Sequence, residues 1–247
     1  APQWFEILSA LAPCGTLMAL TRNESVVHEK DGIYQGFSRE GQVALCNNDD
    51  IDLRIFFFQW HAGFAVTEPG QGGAAQRSLQ FFNAQGTAMH KVFLRQEENR
   101  AIFDKLVEEL RNPDQSANLK IAAKPAKAAE KPDSEIDVKE FQLAWTEITN
   151  VHQFARLVRE FGVSREQALR LAPAGASERL EASAVRTLLQ EAAKRQEPIM
   201  AFVGNEGITE IFSGKVKHVE EKGGFFNVLD PDFNLHLLDS KFKSGWI

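Results

Sequence analysis

Arg54 is the residue whose surroundings most directly suggest binding chemistry. It lies in the segment 52–58, Asp-Leu-Arg-Ile-Phe-Phe-Phe, which is typical of a β-strand. Side chains alternate along a strand, so Arg54 shares one face with Phe56 and Phe58. A guanidinium on a phenylalanine face needs a partner, because an unpaired buried charge is unfavourable. That partner is either a protein carboxylate in a structural ion pair, or a ligand that offers a carboxylate or a polar group on a bound metal.

His152 is the second candidate, because the sequence places it in the first turn of a helix. Asn150 followed three residues later by Gln153 fits a capping box that opens this helix. The helix dipole disfavours an imidazolium there, and a neutral imidazole is the form that binds a metal. A single histidine supplies no set of ligands, so a surface or half-buried helix histidine without a ligand is the simpler interpretation of the spacing alone.

Arg165 lies at the start of the next predicted helix. Gly162 ends the helix of His152, and Ser164 with Gln167 forms a second capping box that opens a short helix up to Ala172. A solvated surface charge is the simplest interpretation of an arginine at this position.

The remaining histidines and the two cysteines show no ligand spacing. Cys14 and Cys46 lack the pattern of a zinc site; either a disulfide or two buried free thiols would fit, and free thiols suit a reducing cytoplasm. The sequence contains no phosphate-binding glycine loop, nucleophile elbow or HExxH motif. The other histidines considered, each expected to be structural or solvated, are His28, His61, His90 and His218.

An internal repeat organises the chain around these residues. The segment 17–24 recurs as 199–206, 182 residues later, and the same offset places Arg54 on His236. Such a register predicts two copies of one α+β unit. Two like units create a cleft between them, and clefts between domains are favoured ligand sites.

Hydrophobic periodicity predicts the elements of each copy. Segments 3–12 and 99–111 have apolar residues at helical spacing. Short strands separated by turn residues, including a Gly70–Gly73 loop, indicate an antiparallel meander. The predicted strands are 16–21, 25–30, 42–46, 51–58, 62–67, 77–82 and 87–94.

The repeat and the composition together predict the domain boundaries. The first repeat spans 1–111, an Ala/Lys/Pro-rich linker spans 112–135, and the second repeat spans 136–247 with helices before its sheet. The copies are unequal: the first lacks its N-terminal helices and the second lacks its last strands. The unpaired edge this leaves on the second sheet predicts some tendency to form a dimer.

Composition narrows the class of protein. The 247 residues are 43% hydrophobic and carry a formal net charge of −6. An acidic chain is not expected to bind nucleic acid. No apolar run approaches the roughly 18 residues of a membrane span, and the first residues lack the basic region of a secretory signal, so we expect a cytoplasmic protein without membrane insertion.

Several ordered motifs together resemble the HemS/HmuS/ChuS family of cytoplasmic haemin-transport and haemin-degrading proteins. The resemblance runs nearly end to end apart from the linker. The motifs that carry it are Thr21-Arg22-Asn23-Glu24, Asp52-Leu53-Arg54, Ser78-Leu79-Gln80-Phe81-Phe82-Asn83, Thr149-Asn150-Val151-His152-Gln153-Phe154, Gly162-Val163-Ser164-Arg165-Glu166-Gln167-Ala168 and Phe202-Val203-Gly204-Asn205.

The resemblance implies a tandem-repeat α+β fold with haem (iron protoporphyrin IX) bound between the repeats. His152 would be the proximal iron ligand, Arg54 the distal and catalytic residue, and Arg165 a partner of a haem propionate, which a planar guanidinium suits.

The resemblance also implies a function in iron acquisition. The protein would receive imported haem, hold it and transfer it, with a haem-uptake transporter and a downstream haem oxygenase as partners. The alternative is a haem oxygenase-like enzyme that cleaves the porphyrin and releases iron. Both functions need one proximal histidine and one distal donor, so the sequence does not separate them.

Overall fold

The structure is a computed structural model that describes residues 3–70, 73, 75–126 and 129–247. Of the predicted Gly70–Gly73 loop, residues 71 and 72 lie outside this description. The helices are α1 (Trp4–Ser9), α2 (Arg100–Leu110), α3 (Val138–Thr146), α4 (His152–Phe161), α5 (Arg165–Arg170) and α6 (Ala184–Arg195). The strands are β1 (Leu17–Arg22), β2 (Val26–Gly32), β3 (Phe37–Glu40), β4 (Val43–Asn47), β5 (Asp52–Phe56), β6 (Ala62–Pro69), β7 (Ala75–Phe82), β8 (Ala88–Leu94), β9 (Arg179–Leu180), β10 (Pro198–Gly204), β11 (Ile208–Lys215), β12 (Val219–Lys222), β13 (Phe225–Leu229), β14 (Phe233–Leu237) and β15 (Gly245–Trp246).

Most predicted elements match these bounds closely. Strand β5 is shorter than the predicted 51–58, because Phe57–Gln59 forms a 3₁₀ turn. Helix α1 ends at Ser9 rather than near residue 12, because Pro13 lies in a separate 3₁₀ turn at Ala12–Cys14. Strand β3, which is mostly polar and exposed, was not predicted from the sequence. A short polar edge strand gives little hydrophobic signal, so periodicity does not detect it.

Two antiparallel sheets contain most of the strands, which confirms the predicted α+β class. One sheet has eight strands in the order β12-β13-β14-β2-β1-β8-β7-β6, and the other has five in the order β10-β11-β5-β4-β3. Strands β15 and β9 form a separate two-stranded sheet.

The two repeats share these sheets rather than building one each. Strand β2 of the first repeat pairs with β14 of the second, where His28 lies opposite Leu235. Strand β11 of the second repeat pairs with β5 of the first, where Glu210 lies opposite Leu53. The 182-residue offset carries His28 onto Glu210 and Leu53 onto Leu235, so each pairing is the symmetry mate of the other. The repeats therefore exchange strands about a pseudo-twofold axis.

Reciprocal hydrogen bonds between equivalent asparagines support this symmetry. The side chain of Asn23 donates to the carbonyl of Gly204 (3.1 Å), and that of Asn205 donates to the carbonyl of Arg22 (3.0 Å). Each asparagine also accepts two backbone N–H groups of the turn that follows it. The asparagines thus close both turns and join the two repeats.

Contacts divide the chain into two compact units that cut across the boundaries predicted at 1–111, 112–135 and 136–247. The first unit spans 1–124 and 186–241, and the second spans 125–185 and 242–247. The cause is the strand exchange, which places both sheets in the first unit and leaves helices α3 to α5 in the second.

Each unit has its own hydrophobic core. The core of the first unit combines inward residues of both sheets with residues of α1 and α2. Its buried centre includes Leu8, Leu17, Ala19, Ala44, Leu53, Ile55, Leu79, Phe81, Val92, Phe103 and Ile208. The buried centre of the second unit consists of Ile136, Phe141, Leu157, Val163 and Ala168.

The cysteines are buried free thiols. Both Cys14 and Cys46 have very little solvent exposure. Burial raises the pKa of the Cys46 thiol to about 12, so it stays protonated. Among the described residues, no helix is both long and apolar enough to cross a membrane.

Candidate functional site

Arg54 lies on the face of the five-stranded sheet that points away from the core. Its neighbours in β5, Leu53 and Ile55, are fully buried, whereas the Arg54 side chain is one-third exposed. Its Nη1 contacts the carboxylate of Asp52 and lies 3.3 Å from the carbonyl of Leu53. The structure thus shows a carboxylate partner within the protein. Both contacts use Nη1, and the guanidinium carries further N–H groups on Nη2 and Nε.

The surface around Arg54 is rich in apolar side chains. Directly opposite residues of antiparallel strands share a face, which places Leu45 and Thr209 on either side of Arg54. We call this surface the Arg54 face. Phe202 and Met200 of the edge strand β10 belong to it and are about 60% exposed. Contiguous exposed apolar surface of this kind marks ligand or partner sites.

His152 is the first residue of α4, in the second unit. The N-cap is Val151, one residue later than predicted, and it makes no side-chain cap. The Gln153 side chain accepts hydrogen bonds from the backbone N–H groups of Thr149 (2.7 Å) and Asn150 (3.3 Å), which is one half of the predicted capping box. The side chain of His152 lies outside the described part of the structure. The backbone places the residue at the positive end of the helix dipole.

Arg165 is brought back to the first turns of α4. Gly162 ends α4 in the left-handed conformation (φ 62°), and Ser164 caps α5 by accepting the N–H of Gln167 (3.0 Å). This turn places the exposed Arg165 guanidinium 5.4 Å from the ring centre of Phe154. A straight helix would separate residues 152 and 165 by about 20 Å. The turn at Gly162 therefore makes Arg165 a neighbour of the helix start.

Arg54 belongs to the first unit, and His152 and Arg165 belong to the second. The structure brings Arg165 to the start of α4 within its own unit. The participation of all three residues in one site remains a prediction.

The strand exchange also creates a buried polar centre. His28 and Glu210, equivalent positions of the two repeats, are 0% and 1% exposed, and His28 Nδ1 lies 3.0 Å from a Glu210 oxygen. The sequence predicted that His28 is structural or solvated and did not identify its partner. The 182-residue offset could have identified the partner, because it relates His28 to Glu210. Two positions that a twofold axis relates can lie next to each other at that axis.

His90 lies next to this centre and is also structural. Its Nδ1 is 2.9 Å from the hydroxyl of Thr21, and its Nε2 is 2.7 Å from the hydroxyl of Tyr34. Burial lowers the pKa of His90 to about 4, although the nearby Glu210 carboxylate acts in the opposite direction. The ring is therefore neutral at physiological pH and bonded at both nitrogens.

Comparisons with known proteins agree with these features. The model of the Haemin-degrading HemS.ChuX domain matches residues 1–110 and 162–247. The hemin transport protein HmuS of Yersinia pestis is 31% identical over 242 residues, which cover 98% of this chain and 69% of HmuS. The hemin transport protein HemS of Yersinia enterocolitica has the same identity and coverage.

Solved structures show the same fold over the whole chain. Holo-PhuS, a heme-binding protein from Pseudomonas aeruginosa, is 40% identical with a TM-score of 0.94, and the match covers 100% of this chain and 71% of PhuS. The heme-degrading enzyme ChuS of Escherichia coli O157:H7 is 30% identical with a TM-score of 0.88, and the match covers 100% of this chain and 71% of ChuS. With a matching family model and relatives of this identity and coverage, the chain belongs to the HemS/ChuX family.

Proposed function

We propose that this protein binds haem and transfers it within the cytoplasm as part of iron acquisition. The observation that supports the proposal best is membership of a family whose members include a hemin transport protein and a heme-binding protein. Haem is the cargo, a planar apolar ring with two anionic propionates. The features of the chain fit these properties one by one.

The Arg54 face fits the apolar ring. Phe202 and Met200 expose about 60% of their surface there, and covering such side chains contributes about 25 cal/mol for each Å² removed from water. Arg54 supplies N–H donors within this surface. We infer that Asp52 holds the guanidinium while the donors on Nη2 and Nε serve the distal side of the iron.

The start of α4 fits the proximal ligand. The helix dipole at His152 favours the neutral imidazole, which is the form that binds iron. Arg165 is exposed and fixed over Phe154, so its planar guanidinium is available to a carboxylate such as a propionate. In this proposal His152 binds the iron and Arg165 binds a propionate.

A haemin titration followed by absorption spectroscopy tests the proposal. We expect a saturable one-to-one band in the parent, and loss or a shift of that band in His152→Ala. His218→Ala is the matched control, because His218 is an exposed histidine of the same chain. Arg54→Ala should leave binding nearly intact and change the iron spin state, and Arg165→Ala should weaken affinity. Unchanged spectra in both His152→Ala and Arg54→Ala would refute the assignment.

Haem degradation is the second candidate function. It is favoured by the family description, which names haemin-degrading proteins, and by the similarity to ChuS. With a reductant and oxygen, haem would then be the substrate, and Arg54 would affect turnover more than affinity. Loss of the haem absorption with release of iron, measured with catalase present, distinguishes an enzyme from a carrier. If catalase abolishes the loss, free peroxide causes it and the enzyme function is rejected.

The partners of the carrier function belong to the same proposal. A haem-uptake transporter would supply the haem and a downstream haem oxygenase would accept it. Self-association through β10 is also proposed, because this strand is an edge of the five-stranded sheet and presents exposed apolar residues.

A further inference from the structure

His236 occupies in β14 the place that Arg54 occupies in β5. It lies on the outward face of the eight-stranded sheet, because its neighbours Leu235 and Leu237 are buried. The imidazole is about one-quarter exposed, and its ring centre is 6.3 Å from that of Phe225. The same position of the repeat thus carries a guanidinium on one sheet and an imidazole on the other.

The hydrogen bonds of Asn227 determine which nitrogen of His236 carries the proton. Three backbone carbonyls surround the Asn227 amide nitrogen and share its two N–H donors, namely those of Phe225 (3.0 Å), Lys222 (3.2 Å) and Glu220 (3.3 Å). Carbonyls only accept, so the amide oxygen must be the atom that faces His236 Nδ1 at 2.7 Å. An amide oxygen also only accepts. His236 Nδ1 therefore donates, and in the neutral ring Nε2 keeps its lone pair.

That lone pair faces a carboxylate. His236 Nε2 lies 3.9 Å from Oε2 of Glu29, and both side chains are about one-quarter exposed. The separation is longer than a hydrogen bond, which would join the atoms at about 2.8 Å. Two electron-pair donors that face each other favour a cation between them. Two ligands of one tetrahedral ion with bonds of about 2.0–2.2 Å lie roughly 3.4 Å apart. A bound ion would therefore draw the Glu29 carboxylate about 0.5 Å closer to His236 Nε2 than the 3.9 Å of this structure.

The surroundings match those of metal-binding histidines. Such residues donate their second N–H to a fixed oxygen, which orients the ring and makes the ligating nitrogen more basic. Asn227 is 3% exposed and supplies that oxygen. Asn234 lies opposite Glu29 in the strand pairing and shares its face, which offers a third donor.

We propose that His236 and Glu29 form a binding site for a divalent first-row transition-metal ion. An imidazole with a carboxylate suits ions such as Zn²⁺ and Fe²⁺. No group of three histidine, cysteine, aspartate or glutamate side chains within the described ranges could hold a metal ion. The site therefore has two charged or imidazole donors completed by Asn234 and water, and its ion is exchangeable.

Zinc titration calorimetry on the haem-free protein at about pH 7.5 tests the site. We expect one saturable equivalent of Zn²⁺ in the parent, and affinity lower by at least about tenfold in His236→Ala and in Glu29→Gln. His218→Ala is the control. His218 also lies beside a carboxylate, but Asp230 already accepts the backbone N–H groups of Lys217 and His218, so this variant should bind as the parent does.

Two results would overturn the proposal: no saturable binding by the parent, or equal binding by the parent and both site variants. A ¹⁵N shift measurement on His236 tests the tautomer separately, and a protonated Nε2 at neutral pH would also reject the site. Neither experiment uses haem, so failure here is distinguishable from failure of the proposed function. Circular dichroism of each variant without metal checks that the sheet has folded.

Discussion

Removal of one member of the buried His28–Glu210 pair should destabilise the protein far more than removal of both. In His28→Leu, the Glu210 carboxylate stays 1% exposed and loses the imidazole that lies 3.0 Å from it. Breaking a buried pair in this way costs about 3–5 kcal/mol. In the double variant His28→Leu/Glu210→Met no charge remains, and apolar residues of similar size replace both side chains. We expect its free energy of unfolding to lie within about 2 kcal/mol of the parent.

The structure indicates why the double variant should recover. Both ring nitrogens of His28 and both carboxylate oxygens of Glu210 are buried, and none has a hydrogen-bond partner of good geometry among the described residues, so the pair is poorly satisfied. Such a buried pair stabilises the folded protein little more than apolar side chains of the same size would. Removal of one member alone is still costly, because the other is left buried without a partner. The neighbouring rings of Phe233, at 5.0 Å from the imidazole, and Phe212 provide apolar contacts for a leucine.

The contribution of Glu210 should also depend on pH. Burial by itself would raise the pKa of Glu210, but the interactions with His28, His90 and Thr21 together outweigh it, so the pKa lies below its ordinary value. A carboxyl group with a lowered pKa stabilises the fold above its ordinary pKa, and this contribution is lost as the pH falls through the folded-state value. The contribution of Glu210 to the free energy of unfolding should therefore be full near neutrality and small in acid.

Urea unfolding of the four proteins of this double-mutant cycle gives the coupling energy. The control cycle uses Glu97 and Arg100, an ion pair at 3.0 Å in which both side chains are more than half exposed. An exposed pair should show about 1 kcal/mol or less, against about 2 kcal/mol or more for the buried pair. Equal coupling in the two cycles, or additive losses in the double variant, would refute the reasoning.

Three further predictions follow from single features. Burial lowers the pKa of His90 from 6.5 to about 4, so the free energy of unfolding should fall by up to about 3 kcal/mol as the pH drops through that range. Urea titrations of His90→Gln should show a flatter dependence of this free energy on pH. Gly162→Ala should cost about 1–2 kcal/mol, measured by thermal unfolding, because φ is 62°; no loss would mean that the turn rearranges freely. Phe202→Lys should reduce self-association measured by light scattering. If the parent protein is monomeric at high concentration, self-association through β10 is rejected.

Local structure followed from the sequence wherever neighbouring residues determine it. The Ser164 cap of α5 and most strand bounds depend on interactions within a few residues, and the structure confirms them. The reciprocal half of the predicted capping box is not made, because Gln167 donates to Lys131 and Asp133 and its Oε1 has no partner among the described residues. The internal repeat could be identified from the sequence because the same residue pattern recurs 182 residues later. Arg54 stood out because an arginine on a phenylalanine face conflicts with local patterning, and such conflicts tend to mark functional positions.

The pairing of strands was decided by tertiary structure alone. Periodicity states that β2 and β5 are strands, but it carries no information on partners more than 150 residues away, which proved to be β14 and β11. The physical reason is that residues far apart in sequence, such as Leu53 and Ile208, become buried in one core only when the chain folds.

The same long-range pairing created the sites that sequence reasoning did not find. His28 meets Glu210 only because the two repeats exchange strands, and His236 faces Glu29 only because β14 lies beside β2. The residue types and the 182-residue offset were visible in the sequence, whereas the distances that give those residues chemistry came from the fold.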